Sequence, residues 1–482
     1  MRKVITFVLV LVIGIFCFSG CRGKSEAEEM GLDKDNPTII SVWHYYNGTQ
    51  QKAFEKLVNK FNETEGKDKG ICVETFAQGT VYELEKVVMD SVHKKTGASD
   101  MPNIFAAYAD TAYEVNEYGM AADLNQYLTK EEKEEYVDSY IEEGALTKKN
   151  EVKIFPIAKA TEVLTLNETD WKKFADATGA KKTDLATIEG LVKVAEQYYQ
   201  WTDAQTKKEG DGKAFYGRDA IANYFYIGAK QLGMDILEVD GEKVNLHFDK
   251  NIIKKLWDYY YIPYVKGYFM ADGRFRSDDM KMGNIIAYTG SSSGSAFCPE
   301  RVILSDKETY PIEVGIYQNP KFEDGDNYAV QQGAGMVVTK ADQKEVYASV
   351  QFLKWFTQKE RNIQFSSLSS YLPVKKEANE PEVLKKSIDN ISNQAIKDTL
   401  TTAADTVHKN KMYTPKATEN GSQIRNILEN SINEKSLKDR ASILKAVENG
   451  IPYKEAVKKY TSMQNFEAWY QKISKELTEF EK

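Results

Sequence analysis

Residues 38–45 read Thr-Ile-Ile-Ser-Val-Trp-His-Tyr, a run of β-branched and aromatic side chains that closes on the turn signal Asn47-Gly48. Ala53, Phe54, Leu57, Val58 and Phe61 then recur at helical spacing, so the pattern predicts strand, loop and helix in that order. The unit repeats. Ile71, Val73 and Thr75 alternate through a second strand that ends at Ala77-Gln78-Gly79-Thr80, and Leu84, Val87, Val88 and Val92 mark the helix after it. A third short apolar run covers 103–107, and the helical period resumes near Tyr113. Repeated βα units predict a parallel sheet whose ligand contacts lie beyond the carboxyl ends of its strands. Those ends are 43–46, 78–80 and 108–110.

The stretch 152–167 is extended, broken at Pro156, and too long for one ordinary strand of about 5 to 6 residues. It is suited to cross between two sheets. Helical patterns follow at 185–201, 222–232 and 252–265, the last rich in tyrosine. Strand character returns at 283–288 and empties into Gly290-Ser291-Ser292-Ser293-Gly294-Ser295. Two further β segments, 312–318 and 335–339, precede a strong helix over 344–356, and beyond Pro373 the chain is mostly charged helical pattern. No heptad, internal repeat or low-complexity tract stands out.

Composition enlarges this picture. At 482 residues with 42% hydrophobic side chains the chain exceeds what one core organises, so two or more lobes are expected. The 29 tyrosines supply side chains with an apolar face and a polar tip, suited to a cleft. A net charge of −8 argues against nucleic acid, whose phosphates need clustered Lys and Arg.

The amino terminus carries an address. Arg2 and Lys3 precede an apolar run over 4–18, shorter than the roughly 20 residues of a membrane-spanning helix and suited to an export signal. The run closes on Phe18-Ser19-Gly20-Cys21, which resembles the lipobox of bacterial lipoproteins with Phe in place of the usual leucine. Cys21 is then the lipidated first residue, carrying palmitate-type chains that hold the protein on the extracytoplasmic face of the cell membrane. Residues 22–37 are polar and charged, fit for a tether. Cys17 leaves with the signal, and Cys72 and Cys298 are read as buried free thiols unless the fold brings them together.

The serine turn bears directly on function. Gly290, Ser292 and Gly294 satisfy the nucleophile-elbow pattern G-x-S-x-G, which needs an acid and then a histidine downstream. Only His408 lies there, in a charged helical region, and His44, His93 and His247 precede the turn. No metal spacing, phosphate loop or dinucleotide fingerprint occurs, so neither metal nor cofactor is expected. Free N–H groups and hydroxyls at 291–295 would instead suit an anion if the turn opens a helix.

The order of several pieces resembles the family 1 extracellular solute-binding proteins of bacterial ABC importers, the group that includes maltose- and glycerol-phosphate-binding proteins. The pieces are 39–43; Phe54 to Phe61 with Asn62; Met101-Pro102-Asn103-Ile104-Phe105; Gly119 with Asp123-Leu124; Phe155-Pro156 through Glu162 to Asn167; Met282-Gly283 with Ile286-Ala287-Tyr288; 350–356; and Tyr371-Leu372-Pro373-Val374. They span roughly 38–463. The resemblance implies an α/β, two-lobed, periplasmic-binding-protein-like fold of type II, with discontinuous lobes joined by a hinge that closes on its ligand. It divides the chain into signal peptide 1–20, lipidated tether 21–37, lobe 1 from 38–155 and 317–368, lobe 2 from 156–316 and 369–463, and a helical extension 464–482. Crossings are expected at 154–167, 312–318 and 367–373.

The family's cleft contacts fall on Trp43, Tyr45, Gln78, Tyr108 and Asp110 in lobe 1, on Tyr224, Tyr288, Ser291, Ser292 and Ser293 in lobe 2, and on Gln332 and Gly333 in the return segment. Two departures stand out: serines occupy the position after Ile285 where many sugar binders carry Trp or Tyr, and Leu164-Thr165-Leu166-Asn167 replaces the usual Tyr-Tyr-Asn before Trp171. The expected protein is a monomeric, lipid-anchored binding protein that delivers a small solute, an oligosaccharide or polyol, to an ABC permease. An anionic or phosphorylated solute is the second expectation, and an extracellular carbohydrate-active hydrolase the third.

Overall fold

A computed structural model describes residues 25–148, 150–240 and 243–480. The export signal, Cys21 and the start of the tether lie outside the described residues. Lobe 1 opens with strand β1 (Thr38–His44), helix α1 (Gly48–Glu63), β2 (Ile71–Ala77), helix α2 (Val81–Val92), β3 (Ile104–Ala107) and helix α3 (Ala109–Glu117). β1 pairs in parallel with both β2 and β3, and strand Gly335–Val338 joins antiparallel to β3. Ile40 and Val42 of β1 and Phe54, Leu57 and Phe61 of α1 are buried against one another, the pairing of a period of two with a period near 3.6 that the sequence carries. Thr80 and Glu83 start α2 with a reciprocal capping box, which contributes about 1 kcal/mol.

Lobe 2 is built on β4 (Glu162–Asn167), β5 (Tyr216–Arg218), β6 (Ala287–Ser291) and β7 (Val314–Gln318), in the order β7-β4-β6-β5. Helix α4 (Ile221–Gln231) and the 28-residue helix α5 (Gly421–Glu448) pack on this sheet's lobe. Three segments run between the lobes side by side. Ala160 and Gln332 exchange backbone hydrogen bonds of 2.9 Å each, and Lys159 and Leu372 exchange another pair. Lys159 is buried here, its ammonium 2.5 Å from Glu143 and 2.8 Å from the Gly333 carbonyl. A buried pair of this kind tolerates the loss of neither partner.

Several boundaries differ from the sequence reading. The segment 312–318 does not cross: β7 pairs antiparallel with β4 from Val314 opposite Asn167 to Gln318 opposite Val163. An edge strand and a crossing strand carry the same short apolar alternation, and Phe322, fully buried in lobe 2, keeps the chain there until the crossing at 331–335. Ile157, Ala158 and Ala160 pack with lobe 1, so the first crossing lies nearer Thr161 than residue 155. The terminal helix Met463–Thr478 is no extension. Its stripe of Phe466, Trp469, Ile473 and Leu477 is buried in lobe 2's core. Among the described residues no helix is long and apolar enough to cross a membrane.

Candidate functional site

The carboxyl ends of β1 and β3 deliver tyrosines to the seam between the lobes. Tyr45 places its hydroxyl 3.4 Å from that of Tyr371, and Tyr46 meets Tyr371 and Phe365 edge to face. Tyr108 keeps 41% of its surface open, yet desolvation by the surrounding protein, with Tyr371 nearby, pushes its hydroxyl well above the usual tyrosine range. That combination belongs to a ring on a cleft wall: water touches its face, but low-dielectric material surrounds it. The phenol therefore stays protonated and both donates and accepts.

Asp110, in the first turn of α3, faces the other lobe. The Thr418 backbone lies near enough to favour the charged form of the Asp110 carboxyl, and a Cβ on Gly421, the first residue of α5, would overlap an Asp110 oxygen. The N-cap residue of α5, Asn420, makes no capping hydrogen bond with its own side chain; a carboxylate from the opposite lobe stands at that positive helix end instead. Burial pushes Asp110 up to about 6, opposed by Arg425 and the Thr418 N–H and reinforced by Glu85 and Glu143. Desolvation is the larger effect.

On the lobe 2 side Arg425 donates to Asn223 Oδ1 at 2.7 Å, and Asn223 Nδ2 donates to Glu162 Oε1 at 3.0 Å. Glu162 also pairs with the Arg218 guanidinium and accepts from Asn319 Nδ2 at 3.3 Å. Glu162, Arg218 and Asn223 are all buried, so an ion and amide chain runs from the seam to the hinge. Asp219 accepts from the backbone N–H of Arg276, and the Arg276 guanidinium pairs with Asp279. Burial raises Asp219 to about 6 against the pull of Arg276. This set anchors the loop bearing Arg274 and the half-exposed Phe275, and Arg274 acts electrostatically on Glu83 of lobe 1.

The serine turn is a joint. Ser292–Phe297 forms a 3-10 helix of six residues. Ser292 is fully buried: its N–H donates to the Thr161 carbonyl at 2.7 Å and its Oγ accepts the Thr161 N–H at 3.2 Å. This corrects its placement on the cleft surface, since both polar groups serve the first crossing segment. Ser295 bonds Thr399, Ser291 and Ser293 bond each other, and Gln50 of lobe 1 donates to the Ser293 and Ser369 carbonyls. The hydroxyls foreseen for an anion are engaged with protein. The histidines lie elsewhere: His44 accepts from Tyr46, His93 bonds Tyr118, His247 bonds Glu238, and His408 is exposed near a helix end.

The structure thus gathers Tyr45, Tyr108, Asp110, Ser291 and Ser293 at the seam, with Gln332 and Gly333 in the second crossing. Gly333 adopts φ +95, a conformation that favours glycine, so that its carbonyl reaches Lys159. Gln78 lies half-buried just past β2. Three residues sit apart from the seam, in cores. Trp43 is buried in lobe 1 opposite Phe76 and Phe105, Tyr224 donates to the Leu256 carbonyl within lobe 2, and Tyr288 packs with Ala214, Met280 and Ile285. Aromatic residues near strand ends serve cores and clefts alike, which is why sequence could not separate them. Tyr371, Asn223 and Arg425 were missed; only Asn223, a polar residue inside the apolar run 221–229, left a signal.

A cavity of about 1020 Å³ opens beside this seam, reached from Ala109 and lined by Glu143 and Gln331 on one side and by Val239, Tyr413 and Ala417 on the other. Gln331 is buried with its Nε2 fixed on the Ser139 carbonyl, and its Oε1 has no partner. Cys72 and Cys298 are free thiols. No cluster of three metal-binding side chains occurs among the described residues.

Residues 56–391 match the family described as bacterial extracellular solute-binding protein. No curated protein matches the chain. Solved structures with the same fold include the cyclic alpha-maltosyl-1,6-maltose binding protein of Arthrobacter globiformis, 18% identical over 88% of this chain and 98% of that one with a TM-score of 0.65. UgpB of Mycobacterium tuberculosis, in complex with glycerophosphocholine, is 15% identical over 92% of this chain and 100% of its own, TM-score 0.63. The GacH receptor of Streptomyces glaucescens, solved free and with acarbose, is 13% identical over the same shares, TM-score 0.63.

Proposed function

The chain belongs to the bacterial extracellular solute-binding proteins, and from that premise we propose that it captures a small polyhydroxylated solute, an oligosaccharide or polyol, between its lobes and delivers it to an ABC permease. The observation that carries this reading is the solvent-open ring of Tyr108 beside Asp110, with Arg425 and Asn223 opposite. A sugar offers a C–H face to such a ring and a rim of hydroxyls to carboxylate, guanidinium and carboxamide groups. The proposed contacts are Tyr108, Asp110, Asn223 and Arg425, with Tyr45, Gln78, Ser291, Ser293 and Gln332 around them. Two of the structural neighbours are described with carbohydrate ligands.

An anionic solute is the second reading, favoured by Arg425 and Arg274 at the seam and by the glycerophosphocholine of one neighbour. Catalysis has no support from Ser292, whose hydroxyl is buried on Thr161. Calorimetric titration of the exported protein with maltodextrins, polyols and glycerophosphodiesters separates the two readings. Tyr108→Ala should weaken a sugar by roughly 10-fold to 100-fold, the scale of about 1.4 to 2.7 kcal/mol. Failure of every solute to bind, or an unchanged affinity in that variant, removes the cleft assignment.

The lipid anchor belongs to the same proposal. Cys21→Ala should move the protein from the membrane fraction to the medium. Equal fractionation of both forms would reject the anchor.

A further inference from the structure

A second cavity, of about 460 Å³, lies in lobe 2 behind the seam. It meets the interlobe site at the hinge, where Thr161, Glu162 and Asn319 are common to both. One wall is the end of β7 with Tyr317, Gln318 and Asn319, and the other is formed by Tyr328 and the end of the helix reaching Lys409. Its volume falls within the range of small-molecule sites.

The lining is charged in one direction. Lys182, Lys321 and Lys409 face a cavity whose single carboxylate, Glu162, is already paired with Arg218. Lys182 and Lys409 have carboxylate partners, Glu168 and Asp405. Lys321 differs: its ammonium donates to the Gly325 carbonyl at 3.0 Å and Asn327 Oδ1 at 2.7 Å, both neutral acceptors. An ammonium held by neutral oxygens retains its full charge for an incoming anion. Thr161, fully buried, adds a hydroxyl without a hydrogen-bond partner, a group that is costly to leave unsatisfied. Tyr317 and Tyr328 supply apolar faces beside these polar groups.

We propose that this cavity is a second binding site, for a small hydroxylated anion such as a sugar phosphate or sugar acid. The anionic group meets Lys321, the hydroxyls meet the carboxamides of Gln318 and Asn319, and the ring lies against tyrosine. The site is independent of which solute the interlobe cleft takes.

The test is a titration at constant ionic strength with glucose 6-phosphate, glucuronate, glucose and inorganic phosphate, read by the melting temperature and by NMR chemical shifts. It compares the unaltered protein, Tyr108→Ala, and the pair Lys321→Gln with Lys409→Glu. Both hydroxylated anions should raise the melt by several degrees in the first two proteins and leave the lysine variant unmoved, while glucose, which the interlobe cleft could itself take, should be inert in Tyr108→Ala. Circular dichroism establishes that the lysine variant is folded, and Gln318→Ala, at an exposed position, should independently weaken both anions several-fold. The proposal is overturned if no anion acts, if glucose or phosphate acts equally in Tyr108→Ala, or if all three proteins respond alike. It is equally overturned if the response disappears in Tyr108→Ala while the lysine variant keeps it, since the anion would then occupy the interlobe cleft.

Discussion

The two walls of the interlobe cleft are made of different material. Lobe 1 contributes rings, Tyr45, Tyr46 and Tyr108, joined by Tyr371 of the third crossing segment, which packs in lobe 1's core and not lobe 2's; burial holds all four hydroxyls protonated. Lobe 2 contributes ions and amides, the Arg425, Asn223, Glu162 and Arg218 chain and the Asp219, Arg276 and Asp279 set. A ring accepts many neighbours, because packing and a rotating hydroxyl adjust to them. A buried ion does not, because each charge depends on one partner held in place. Lobe 1 is therefore the wall that tolerates substitution, and lobe 2 the wall that leaves little room for it.

The largest effect should come from the ionic wall. Arg218→Met leaves the Glu162 carboxylate buried without its cation, at a cost of about 3 to 5 kcal/mol. Tyr108→Ala, at a half-open ring, should change stability by less than about 1 kcal/mol. Urea unfolding followed by tryptophan fluorescence compares them; equal losses in the two variants would erase the distinction between the walls.

Next in size is the contact that joins the walls. A methyl group at Gly421 would overlap the Asp110 carboxylate, so Gly421→Ala should hold the lobes apart while each keeps its core. Solution scattering should show a larger radius of gyration, and solute affinity should fall roughly 10-fold, about 1.4 kcal/mol. Adding Asp110→Ala removes the obstacle and should restore the compact form. If the single variant is as compact as the unaltered protein, Asp110 and α5 do not meet in solution.

Legibility follows the same division. The three βα units of lobe 1 were readable because a period of two followed by a period near 3.6 states both the element and its buried face, as in Ile40 and Val42 before Phe54, Leu57 and Phe61. Tyr108 and Asp110 stand out in the sequence by their place after a parallel strand, and the structure sets Asp110 against the start of α5. The lobe 2 wall was not. Arg425 and Asn223 lie 202 residues apart in sequence, and neither residue type on a helix distinguishes a cleft from a solvated face. The second crossing failed for a related reason: pairing partners, not local pattern, decide whether a short strand such as β7 stays or crosses. Serine misled most. Ser292 reads as a donor in a glycine-rich turn, and only the fold shows that Thr161 already holds it.

The smallest predicted effect tests whether closure carries a proton. With the lobes in contact through Asp110 and α5, burial pushes the Asp110 carboxyl up to about 6 from an ordinary 3.8. Opening the lobes hydrates the carboxylate and returns it toward that ordinary value, so between about pH 4 and 6 the closed form binds more protons than the open one. Closure is then least opposed below pH 4, weakens as pH rises through 6, and is flat above. A shift of this size limits the effect to about 3 kcal/mol. Partial access of solvent brings the expected change nearer 1 kcal/mol. Arg425 and the Thr418 N–H pull against the shift, Glu85 and Glu143 add to it, and Tyr226, close enough for Asp110 to influence it, stays neutral. Asp219 is also raised to about 6, but its partner Arg276 is in the same lobe, so its proton follows the folding of lobe 2 and not closure. Fluorescence transfer between labels on the two lobes of the folded protein reports closure alone. Asp110→Asn should flatten its pH dependence, and a pH profile unchanged by that substitution would assign the proton to another group.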